Sequence, residues 1–165
     1  MIQNKILHIV RHGKALQDFH FIQDVDRPLT EKGILNNINV ARQLQAQYPA
    51  PGLIVSSHAA RALHTAFIFA RMMNYPQTQV QVNENLYLDG ENETYCILET
   101  LPDETDSVMI VGHNTELTCL ASHLTGSYYQ IPTSGVVTIC FDTDRWNETG
   151  KAKVKSSYFF GKEDK

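Results

Sequence analysis

The stretch Leu7-His8-Ile9-Val10-Arg11-His12-Gly13 decides how this chain is read. Residues 6–10 are apolar except for His8, the pattern of a parallel strand buried on both faces. The run then ends in a cation, an imidazole and a glycine. In open α/β sheets, ligands bind just beyond the carboxyl ends of such strands, which is where Arg11 and His12 fall. Gly13 permits a sharp turn and a close backbone approach to a ligand. A fixed positive charge beside a nitrogen nucleophile suits an oxyanion such as phosphate. Arg-His-Gly also occurs by chance, so the other parts of such a site have to be found elsewhere in the chain.

Two more apolar runs end in the same way. Leu53-Ile54-Val55-Ser56 leads into Ser57, with Arg61 one helical turn further on, and Ser107-Val108-Met109-Ile110-Val111 leads into Gly112-His113-Asn114. In a parallel sheet these ends share one edge, so two arginines and two histidines distant in sequence converge there. Between them the pattern is helical. Thr30 caps a helix whose apolar positions Ile34, Ile38, Ala41 and Leu44 share a face. A second helix runs to about residue 73 and a third spans 91–101. A fourth follows residue 114 and closes at Gly126. Val80-Gln81-Val82 is a weak strand, and residues 83–90 read as a loop. Residues 14–27 form a polar loop long enough to suggest function. The chain ends in a strand from Gly135 to Phe141 and a partner near 152–158, a hairpin at one edge. The expected fold is a three-layer α/β/α sandwich with a mostly parallel central sheet, as a single domain over residues 1–165.

The chemistry assigns roles. A neutral imidazole nitrogen can attack phosphorus and become phosphohistidine, so His12 is the candidate nucleophile. Its other ring nitrogen needs an acceptor such as a carbonyl near Gly13 to fix the tautomer. Arg11 and Arg61 would hold the equatorial phosphoryl oxygens, for which the planar guanidinium fork is well suited. His113 would donate a further hydrogen bond, with Gly13 and Asn114 beside the bound group.

Bulk properties agree. The chain has 165 residues, 42% hydrophobic and 19% charged, with a formal net charge of −4, so a core is affordable and a broad nucleic-acid surface is not expected. Cys96, Cys119 and Cys140 are an odd count without a C-x-x-C pair, which reads as small core hydrophobes in a reducing setting. With no signal peptide and no long apolar span, cytoplasmic placement and no membrane partner are expected. His8 and His12 lie on a strand, where a four-residue spacing does not converge, so no metal is expected. His8 and His64 read as packed residues, and Trp146 as a cover over the sheet edge.

Four blocks carry a resemblance to a known family. They are Val10-Arg11-His12-Gly13-Lys14-Ala15, Arg27-Pro28-Leu29-Thr30-Glu31-Lys32-Gly33, Ser56 to Ala66 and Val111-Gly112-His113-Asn114. Together they resemble the histidine phosphatase superfamily and, within it, the SixA-type phosphohistidine phosphatase branch. The resemblance implies a phosphoglycerate mutase-like fold and no cofactor. It also implies a phosphorylated nucleophile at His12 and a phosphate pocket of Arg11, Arg61 and His113. Arg27 either reaches the substrate or braces its loop. The chain departs from the family's usual pattern at Ser57, where proline is common, and at His64, where glutamine is. Larger members carry a glutamate that protonates the leaving oxygen. Here Glu84, nearest a strand end, is the candidate general acid, although the SixA-type branch tends to lack a defined one. A phosphoramidate substrate, with its labile P–N bond, fits that lack.

The expected activity is therefore metal-independent dephosphorylation of phosphohistidine on a protein, such as a phosphorelay domain. The alternatives are a phosphatase for a small phosphorylated metabolite and, from another class, a phosphate-recognising module without turnover.

Overall fold

A computed structural model of the chain describes residues 4–17 and 20–161. Residues 18 and 19 of the polar loop lie outside the described residues. Six strands form one sheet in the order β3-β2-β4-β1-β5-β6. These are β1 (Lys5–Arg11), β2 (Leu53–Ser56), β3 (Gln81–Val82), β4 (Ser107–Gly112), β5 (Val136–Phe141) and β6 (Val154–Phe160). β3, β2, β4 and β1 are mutually parallel, and β5 runs antiparallel to both β1 and β6. The sheet is thus mixed but mostly parallel, with the expected hairpin at one edge.

Alternation along β1 explains why its apolar run is continuous. Leu7 and Ile9 join a core with Val108, Ile110, Leu117 and Leu120 on one face, while Val10 joins Val40, Leu44, Phe69 and Met109 on the other. Helices α1 (Glu31–Gln45) and α2 (Ala60–Met72) supply the second of these cores. The first is covered by α4 (Gly90–Thr100) and α5 (Glu116–Thr125). His8 is fully packed in β1, where its Nδ1 lies 2.8 Å from the Thr138 hydroxyl and its ring meets Tyr48 edge-on. Trp146 is buried rather than a simple edge cover, and its indole N–H donates to the Thr105 carbonyl at 2.6 Å. Cys96 is exposed, which corrects its reading as a core residue.

Two local readings change. Residues 83–90 contain a short helix, α3 (Asn85–Leu88), which buries Leu86. On α1 the buried face is Gly33, Asn37, Val40, Ala41 and Leu44, so Ile34 and Ile38 are only partly covered. The face turns because the start of α1 presses against the chain just after β1. Thr30 caps the helix through Gly33 N at 3.0 Å while its own N–H donates to Lys14 O at 2.8 Å. A Cβ on Gly33 would stand 2.3 Å from Lys14 O, so only glycine allows this approach. The contact fixes the segment that carries His12. Gly33→Ala is accordingly expected to lower stability by roughly 1–3 kcal/mol, the usual cost of overpacking a filled site, as measured by chemical denaturation.

Candidate active site

The carboxyl ends of β1, β2 and β4 meet at one edge, and their residues wall a cavity of about 510 Å³. Arg11, His12, Arg61, His113, Asn114 and Arg27 all line it. Gly13 is not among the lining residues and works from beneath. Its carbonyl accepts from His12 Nδ1 at 2.7 Å, and its N–H donates to the Thr65 hydroxyl at 3.0 Å. A carbonyl can only accept, so the neutral His12 ring carries its proton on Nδ1 and its lone pair on Nε2. Arg61 Nε–H points to that same Nε2 at 3.3 Å, as the tautomer requires. Thr65 also accepts from Asn37 Nδ2 at 3.0 Å and donates to Arg61 O at 2.7 Å. One hydroxyl therefore couples the backbone under the histidine to the helix that carries Arg61.

The remaining donors are held as follows. Arg11 Nη1 and Asn114 Nδ2 both donate to the Ile131 carbonyl, at 2.9 and 3.0 Å. The Asn114 Oδ1 accepts from Thr118 at 3.2 Å, so both ends of this amide are engaged. His113 Nε2 lies 2.9 Å from the Ser57 hydroxyl, and the His12 and His113 ring centres are 5.1 Å apart. Ser57 Oγ also accepts from Ala59 N–H at 3.3 Å, and with a second lone pair and its own proton it can meet His113 Nε2 as acceptor or donor. With Ser57 as the donor, the His113 proton sits on Nδ1. Arg11 Nε and His113 Nδ1 are buried with no hydrogen-bond partner among the described residues. Arg27 braces its loop through Leu16 O at 2.9 Å and Asp24 at 2.8 Å, and it also lines the cavity.

Burial sets the charge state of the two imidazoles. His12 is lowered from 6.5 to about 4 by desolvation, with Arg61, Arg11 and Arg27 adding repulsion and the Gly13 hydrogen bond opposing them. Desolvation likewise lowers His113 to about 3, with His12 and Arg61 contributing. Both rings are therefore neutral near pH 7, the form in which one can attack phosphorus and the other keeps a single N–H to donate.

Glu84 is exposed at the N-terminal end of α3 and is not among the residues that line the cavity. Among the described residues, the carboxylate that lines the cavity is Glu116, in the first turn of α5. Strand-end reasoning favours Glu84, which stands exposed at the position before α3. Three further residues went unassigned in the sequence. Ser57 fixes His113. Asp24 accepts from both Arg61 and Arg27, and Tyr87 donates to Asp24 at 2.7 Å. Ser57 was visible as the residue after β2, whereas the sequence signal of Asp24 and Tyr87 was only membership of the long polar loop and of the segment after β3. His64 is partly covered and does not line the cavity.

Fold and cluster together define a phosphoglycerate mutase-like α/β protein. A family model for the histidine phosphatase superfamily (branch 1) matches residues 7–87, and over that stretch the chain is similar to that superfamily. It is 25% identical to an uncharacterized chloroplastic protein of Arabidopsis thaliana over 86% of this chain and 69% of that protein. Its fold is similar to the SixA protein of Nakamurella multipartitia, with a TM-score of 0.80 and 20% identity over 94% of this chain and 95% of that one. It is equally similar to the protein histidine phosphatase SixA complexed with tungstate, with a TM-score of 0.80 and 24% identity over 94% of this chain and 96% of that one. A mycobacterial glucosyl-3-phosphoglycerate phosphatase shares the fold at a TM-score of 0.66 and 16% identity, over 92% and 97% of the two chains.

The depressed histidines make a pH prediction. The unfolded chain binds their protons near 6.5, whereas folded His12 and His113 do so only at about 4 and about 3. Burial lowers His8 to about 4 as well. The unfolded state holds more protons in that window, so stability is lost as pH falls from about 6.5 toward 4. Urea midpoints measured across that range should fall steadily, and ring-nitrogen NMR should place the His12 titration well below the value of a free histidine. Separately, Glu84→Gln is expected to leave kcat/KM within about twofold of the parent, since the residue sits apart from the reacting groups.

Proposed function

We propose that this protein is a metal-independent phosphatase that works through a phosphohistidine on His12, with protein phosphohistidine as its substrate. The observation that carries this reading is the locked tautomer of His12. Its Nδ1–H is committed to Gly13 O, and its Nε2 lone pair faces Arg61 at the cavity wall. A module that only binds phosphate has no need of a nitrogen prepared in this way.

In the first step His12 Nε2 attacks phosphorus, the P–N bond of the substrate breaks, and the leaving imidazole nitrogen takes a proton from solvent. The phosphorylated His12 ring keeps its Nδ1–H and is cationic, and Gly13 O stabilises that charge. Arg61 Nε passes from His12 Nε2 to a phosphoryl oxygen. Arg11 Nε and His113 Nδ1 are buried donors free to bind the other oxygens. Preorganised donors of this kind are each worth roughly 2.7–4 kcal/mol of barrier. In the second step water attacks phosphorus, the Nε2–P bond breaks, the water proton leaves to solvent and inorganic phosphate departs. The cationic ring is a good leaving group in that step.

A protein substrate is supported by the mouth of the cavity, where the lining residue Leu88 is 77% exposed. Exposed apolar groups beside a polar pocket suit contact with another protein surface. The fold shared with the glucosyl-3-phosphoglycerate phosphatase supports a second reading, a small phosphorylated metabolite. Free cysteines fit a reducing compartment such as the cytoplasm.

The test is a rapid quench after brief exposure to 32P-labelled phosphohistidine protein. Base-stable, acid-labile label should appear on His12, and His12→Ala should lose both label and several orders of magnitude of kcat. Turnover retained by His12→Ala would end the proposal. Phosphohistidine should also be turned over far faster than an unactivated alkyl phosphate, and equal efficiency would favour the second reading.

A further inference from the structure

Asp24 lies in a single 3-10 turn (Asp24–Asp26) of the long loop between β1 and α1, and its side chain is half exposed. An acid in that setting is ordinarily a surface residue whose ion pairs contribute little. Its contacts are of another kind. Arg61 is buried on the cavity wall, and both of its terminal nitrogens are committed to this one residue. Nη1 donates to the Asp24 carbonyl at 2.7 Å and Nη2 to Oδ2 at 3.0 Å. A planar guanidinium held at two corners has its third direction fixed. That direction is Nε–H, and it meets His12 Nε2 at 3.3 Å.

Two neighbours hold Asp24 in turn. The Tyr87 hydroxyl donates to Oδ2 at 2.7 Å and Arg27 Nε to Oδ1 at 2.8 Å. Tyr87 also packs its ring near the Arg61 guanidinium carbon at 6.0 Å and edge-on to His113 at 5.3 Å. The Tyr87 hydrogen bond, ahead of the two arginines, holds the Asp24 carboxyl well below the usual carboxylate range, so it is ionised wherever the enzyme works.

We propose that Asp24 is a positioning residue for phosphoryl transfer: its carbonyl and carboxylate orient Arg61 so that Nε is aimed at the reacting nitrogen of His12. The proposal rests on the reading of His12 as the nucleophile. Asp24 touches neither that nitrogen nor the position a phosphoryl group would take, and acts through Arg61. Because the aimed N–H must follow the charge that develops during transfer, its loss should appear in kcat more than in KM. Tyr87 and Arg27 support the same arrangement by fixing the carboxylate.

The experiment compares wild type with Asp24→Asn and Asp24→Ala in three measurements. These are steady-state kinetics on phosphohistidine protein, thermal unfolding, and the His12 ring titration by 15N NMR without substrate. Asp24→Asn is expected to lower kcat by about 10–100-fold, as the loss of orienting partners typically does, with KM within about threefold and unfolding little changed. The sign of the His12 shift separates the roles. Besides the Gly13 carbonyl, the charged and titratable groups that face His12 are Arg11 from β1, Arg27 from the loop, Arg61 from α2 and His113 after β4. If Asp24 aims Arg61, its removal lets the guanidinium swing away from Nε2, repulsion of the imidazolium weakens and the His12 titration moves up. If Asp24 acts only as a nearby negative charge, its removal moves the titration down. A kcat within about threefold of wild type, or a His12 titration that is unchanged or moves down, would overturn the proposal. Should wild type itself fail to turn over phosphohistidine, the functional reading falls, while the His12 titration still decides whether Asp24 orients Arg61.

Discussion

The hydrogen bond from His12 Nδ1 to the carbonyl of Gly13 is the constraint on which the site depends. It forces the lone pair of the neutral ring onto Nε2 and gives the ring one orientation. A carbonyl can impose this only if its own peptide is immobile. Thr65 takes the Gly13 N–H, Asn37 steadies Thr65, and the start of α1 closes on Lys14 through a helix position that tolerates no Cβ. Two helices and a strand end are thus organised to hold a single peptide plane. The same Thr65 hydroxyl returns to Arg61 O, so nucleophile and guanidinium are referred to one point.

Electrostatics follow from that rigidity. The chain is acidic overall, with a formal net charge of −4, yet its cavity gathers Arg11, Arg27, Arg61 and two imidazoles. Protonated histidines among these arginines would be doubly unfavourable, from desolvation and from repulsion. Both rings are therefore neutral, and the positive field comes from groups that cannot lose their protons. Asp24 balances part of that field at the rim without entering the lining, and Ser57 holds His113 through Nε2.

The sequence was legible wherever a residue's role follows from its place at a strand end. Arg11, His12 and His113 each terminate a run of buried residues, and a parallel sheet leaves such residues only one edge to share. Arg61 follows one turn into the helix after β2. Local patterns were less reliable where a tertiary contact competed. The apolar spacing on α1 pointed to Ile34 and Ile38, but the close approach of Gly33 to Lys14 rotates the helix, so that Asn37 faces inward and the isoleucines are only half covered. Glu84 is likewise near a strand end, yet it stands exposed before a short helix and is not among the residues that line the cavity.

The sequence by itself determined the layered α/β class, the mostly parallel sheet with its antiparallel hairpin, the similarity to the histidine phosphatase superfamily and the set of residues at the strand ends. These follow from periodicity, from handed and short connections, and from motifs contiguous in the chain. Only the tertiary structure decided how the cluster is aimed. Asp24 and Arg61 are 37 positions apart, Asp24 and Tyr87 are 63, and Ser57 and His113 are 56. No local pattern relates residues at such separations. Their pairing appears only when the chain closes on itself and buried polar atoms must find partners or stand free for a ligand.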